Sequence, residues 1–135
     1  MKILLCHPGH RFSTSDVYDG LRAGFTAAGA EVVSFRWDQV ISIIGSLAGT
    51  AVAAGKMELE EAQRVRSFAG WLAAADVLTM AVEQEVDAVF VVNGLLFPAQ
   101  RAFVLRKLGI PVMCYGTEAP YFHQQEAAIC RAYTH

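Results

Sequence analysis

The residues best suited to chemistry stand just after apolar runs. His7 and His10 bracket Pro8-Gly9 directly after Ile3-Leu4-Leu5-Cys6, and Ser13, Thr14 and Ser15 follow. An imidazole beside a helix N-terminus can act as a general base or hold a hydroxyl or phosphate oxygen, because its unperturbed pKa lies near neutrality. The three hydroxyls could donate to a ligand, although at this position they commonly satisfy the free N–H groups of a starting helix. Asn93-Gly94 follows the run Ala88-Val89-Phe90-Val91-Val92, and Thr117-Glu118-Ala119-Pro120-Tyr121 follows Pro111-Val112-Met113-Cys114-Tyr115. Asn93-Gly94 reads equally as an amide with close backbone approach to a ligand or as a turn needing no ligand. Glu118 beside Tyr121 could orient a polyhydroxylated substrate, or contact the N-terminus of a final helix. His123 and His135 carry no comparable argument.

Positioning these groups requires an α/β sheet. Lys2 to Cys6 forms a first strand, Ser13 to Asp16 has the Ser-x-x-Asp form of a helix start, and Val17, Leu21, Gly24, Phe25 and Ala28 share one face of that helix. Gly29 stops it, and Glu31 to Arg36 is a second strand. Gln39 to Gly55 has no charged residue and carries apolar residues at helical spacing. Its Ser and Gly interruptions leave it short of the roughly 20 apolar residues of a membrane span, so a buried or interface helix is expected, packed on a dimer mate or a second domain. Met57 to Glu85 forms a long helix, with a bend at Gly70 and with Val65, Phe68, Ala69, Leu72, Ala75 and Leu78 toward the core. Glu58, Glu60 and Glu61 suit its first turn. Val86 to Val92 is a strand covered on both faces. Pro98 opens a helix that buries Phe103, Val104 and Leu108, Gly109 ends it, Pro111 to Tyr115 is the fourth strand, and Tyr121 to His135 a last helix.

The expected fold is a Rossmann-like three-layer α/β sandwich spanning residues 1–135 as a single domain. It has four parallel strands in the order 2-1-3-4 and helices on both faces. That order sets strands one and three side by side with their following helices on opposite faces, opening a crevice at their carboxyl ends between the 7–15 and 93–98 loops. A chain of 135 residues buries roughly two thirds of its unfolded surface. Its 54% hydrophobic and 18% charged residues place it outside the disordered regime.

Composition also excludes. Eleven basic against thirteen acidic residues leave no basic stripe, so no nucleic-acid partner is expected. Three cysteines, two of them inside strand patterns, point to a reducing compartment, and no Cys or His spacing matches a zinc site. The N-terminal apolar run is too short for a signal peptide, so a cytoplasmic location is expected. The G-x-G-x-x-G, G-x-x-x-x-G-K-[ST] and G-x-S-x-G motifs are absent, which disfavours the usual NAD, ATP and hydrolase sites.

Taken together, Lys2-Ile-Leu-Leu-Cys-His-Pro-Gly-His10, Ser13-Thr-Ser-Asp16, Phe90-Val-Val-Asn-Gly94 and Gly116-Thr-Glu-Ala-Pro-Tyr121 resemble the N-terminal domain of GT-B-fold glycosyltransferases. The likeness is to the bacterial and phage branch that includes spore-maturation-type enzymes, and it covers nearly the whole chain. In that family two Rossmann-like domains face each other across a cleft, the first holding the acceptor and often the catalytic base, the second most of the nucleotide-sugar. The resemblance implies transfer of a sugar to a hydroxyl of a small-molecule or glycan acceptor, no cofactor beyond the nucleotide-sugar donor as substrate, and a chain inactive as a catalyst without its second domain. By position it makes His10, Glu118 and His7, in that order, candidate bases. Gly9, Ser13, Thr14, Asn93, Gly94, Thr117 and Tyr121 become substrate-binding candidates in the cleft wall. The competing expectation is a small non-catalytic Rossmann-like module that binds a metabolite or assembles through the 39–55 helix.

Overall fold

The computed structural model describes residues 1–7, 15–92, 97–116 and 130–134. In chain order the elements are β1 (Lys2–Cys6), α1 (Ser15–Ala27), β2 (Glu31–Phe35), α2 (Trp37–Ala53), α3 (Leu59–Glu83), β3 (Ala88–Val92), α4 (Ala99–Lys107) and β4 (Val112–Tyr115). The four strands form one parallel sheet in the order β2-β1-β3-β4, as expected of a Rossmann-like sandwich. Cys6 lies beside Phe35 on one side and Val91 on the other, and Val91 lies beside Cys114. Gly29 and Gly109, at φ of 82° and 81°, take the left-handed conformation that ends α1 and α4 and returns the chain to the sheet.

Alternation along the strands divides the side chains between two layers. Leu4, Cys6, Val89, Val91 and Val112 join Trp37, Ala73, Ala74, Val77, Ala81, Phe97, Ala102 and Leu105 in the larger core, which therefore holds α3, α4 and the start of α2. Leu5 and Val92 face the other way, onto Tyr18 with Val17, Leu21 and Phe25 of α1. The helices that follow β1 and β3 thus lie on opposite faces, as right-handed crossovers running in opposite directions demand. Burying each Leu or Val of these clusters contributes about 1.5–3 kcal/mol relative to exposure.

Two expected faces are corrected. In α3 the buried residues are Ala62, Ala69, Gly70, Ala73, Ala74, Val77 and Ala81; of the residues expected inward, Ala69 is buried and Leu78 packs on the larger core, while Phe68 and Leu72 are exposed. The sheet takes the alanine side because small side chains let the helix approach closely. In α4, Ala102 and Leu105 are buried, whereas Phe103, Val104 and Leu108 are exposed. Here too the small residue faces inward, and Lys107 lies over the outward Phe103 ring, 5.2 Å from its centre. α3 runs as one helix through Gly70. Its start is closed by a capping box in which Glu61 accepts the Glu58 N–H at 3.0 Å, and Glu60 pairs with Arg64. α3 alone, among the described residues, is long and apolar enough to cross a membrane by length and composition, and its Ala69–Ala81 side is part of the packed interior.

Of the expected final helix, only Cys130 to Thr134 lie within the described residues. There Tyr133 is buried against Phe97, and Thr134 N–H donates to the Val112 carbonyl at 2.7 Å, fastening this turn to β4.

Candidate functional site at the carboxyl edge of the sheet

The sheet order creates one topological switch point, between β1 and β3, where successive crossovers leave in opposite directions and a crevice opens at the strand carboxyl ends. His7 stands there. Its backbone N–H donates to the Phe35 carbonyl at 2.9 Å, which extends the β1/β2 ladder by one residue and fixes the side chain at the rim. The imidazole is buried, its ring centre 4.8 Å from that of Tyr18 on α1. A histidine held in this way has a set orientation, the first requirement for placing a proton acceptor or a hydrogen-bond donor.

Of the site residues expected from sequence, His7 is the one that the structure describes. His10, Gly9, Ser13, Thr14, Asn93, Gly94, Thr117, Glu118 and Tyr121 lie outside the described residues. The elements that carry these loops are in place: β1 and α1 flank residues 8–14, β3 and Phe97 flank 93–96, and β4 with Gly116 leads into 117–129. The ends of β1 and β3 are adjacent, and that of β4 is next to β3.

Sequence reasoning missed three aromatic side chains at this edge. Tyr18 packs on His7, and Trp37 and Phe97 form a tilted pair 5.6 Å apart. Trp37 follows β2 after a single residue and Phe97 lies five residues beyond β3, so their strand-end positions were the available signal. Trp37 is fully buried, and its indole Nε1 has no hydrogen-bond partner.

The α2–α3 hairpin overhangs the same edge. A helix of 25 residues spans about 37 Å, against about 17 Å for a five-residue strand. Its C-terminal end leads to the amino end of β3, so the surplus length extends past the carboxyl edge. The larger core accordingly takes residues from the start of α2 and the second half of α3 only. In the overhanging part, a groove of about 610 Å³ runs between the helices, with Ser42, Gly45, Ser46 and Gly49 on one wall and Arg66, Ser67 and Gly70 on the other. A Cβ placed on Gly45 would lie 3.8 Å from Arg66 Nε, and one on Gly49 3.9 Å from an outer guanidinium nitrogen, so Arg66 lies along a glycine-lined wall. One cation and three hydroxyls stand in this groove, whose lining is otherwise apolar.

Among the described residues no group of three or more His, Cys, Asp or Glu side chains could hold a metal ion. Burial pushes the Cys6 thiol up from its ordinary range, which keeps it protonated and unreactive. Burial likewise raises the Tyr133 hydroxyl, with Cys114 adding to the effect. No protein-family model, curated protein or solved structure matches the chain.

Proposed function

We propose that this chain is the N-terminal, acceptor-side half of a GT-B-fold glycosyltransferase. In this reading it seats a hydroxyl acceptor at the carboxyl edge of its sheet, and a second Rossmann-like domain supplies most of the nucleotide-sugar site. The observation that carries the reading is the switch point between β1 and β3 with His7 fixed at its rim, in a chain whose loop motifs resemble that family. The transfer needs a base to deprotonate the attacking hydroxyl and positive or dipolar groups to stabilise the departing diphosphate. The loop containing His10 and that containing Glu118 supply the candidate bases, and the second domain supplies most of the diphosphate contacts. A cytoplasmic location accompanies this proposal.

The test is release of nucleoside diphosphate by the intact gene product, supplied with a panel of nucleotide-sugars and hydroxyl acceptors. Acceptor-dependent release by the intact protein, lost when the second domain is deleted, is the expected result. An intact protein with no second α/β region and no release from any donor overturns it.

A second reading, a non-catalytic module that assembles through the 39–55 helix, is favoured by one observation. Ile43 and Leu47 on α2 are 63% and 65% exposed, and they stand on the side of the helix away from the Arg66 groove. Wild-type oligomerisation abolished by Leu47→Glu, without any transferase activity, is the outcome that selects it.

A further inference from the structure

We draw no further inference here: the strongest candidate, the groove between α2 and α3 in which Arg66 lies along Gly45 and Gly49, is a stripe of small residues beside one solvent-exposed arginine, and nothing in the structure shows what fills it.

Discussion

The guanidinium of Arg101 on α4 lies 3.9 Å from the ring centre of Trp71 on α3, and Trp71 in turn stacks on Phe68 at 5.8 Å with their planes 13° apart. This contact joins the two outer helices of one sheet face where the alanine side of α3 has no long side chains to do so. A cation over an indole contributes about 0.5–1 kcal/mol at a partly exposed site. Arg101→Met keeps most of the aliphatic stem and removes the charge, so it is expected to lower unfolding free energy by that amount, with no effect of the same substitution in a Trp71→Leu background. A double-mutant cycle by urea denaturation measures the coupling directly.

The inversion of the α3 face leads to two opposite expectations. Phe68→Ser removes an exposed ring and is expected to change monomer stability by less than about 0.5 kcal/mol. Ala73→Leu inserts bulk between α3 and the sheet at a fully buried position and is expected to cost about 1–3 kcal/mol. Chemical denaturation of the two variants side by side checks both. A costly Phe68→Ser with a neutral Ala73→Leu would mean that the large residues face the core after all.

The strands and their order were legible in the sequence because each is a short apolar run punctuated by Gly, Pro or Asn, and because helical segments between every two successive strands leave few parallel topologies. The faces of α3 and α4 were not. When apolar residues occupy every side of a helix, periodicity names no preferred side, and the choice falls to close packing, which favours Ala73 and Ala102 over Phe68 and Phe103. His7 was legible from its place after β1. Its partner Tyr18 was not, since a tyrosine three residues into α1 looks like any amphipathic side chain until the β1–α1 geometry brings the rings together. Trp37 and Phe97 were hidden for the same reason, being distant in sequence and joined only at the edge of the sheet.

If the loop after β1 supplies the base for sugar transfer, His10→Ala in the intact enzyme is expected to lower turnover about 100-fold or more. Donor affinity should stay within about twofold, because the donor rests mainly on the second domain. Glu118→Gln, tested in parallel, keeps shape and removes the carboxylate. Initial-rate kinetics with donor binding by calorimetry separate the two candidates, and wild-type turnover in His10→Ala removes that residue from the mechanism.

Alkaline pH should destabilise the fold through two buried acids. The Cys6 thiol and the Tyr133 hydroxyl are both raised by desolvation in the folded state, whereas in the unfolded chain they ionise near pH 9 and pH 10. Their contribution is therefore fully present below the unfolded values. It is lost as pH rises above them, because the folded chain retains protons that the unfolded chain has released. Above its unfolded ionisation point, each group that stays protonated in the fold contributes a slope of at most about 1.4 kcal/mol per pH unit. Urea denaturation midpoints measured from neutral to alkaline pH should fall accordingly, and Tyr133→Phe and Cys6→Ala should each remove one proton's share of the slope. In the native state Cys6 should also resist a thiol reagent that labels the exposed Cys130. A flat alkaline profile, with Cys6 labelled as fast as Cys130, would mean that the β1 end opens to solvent.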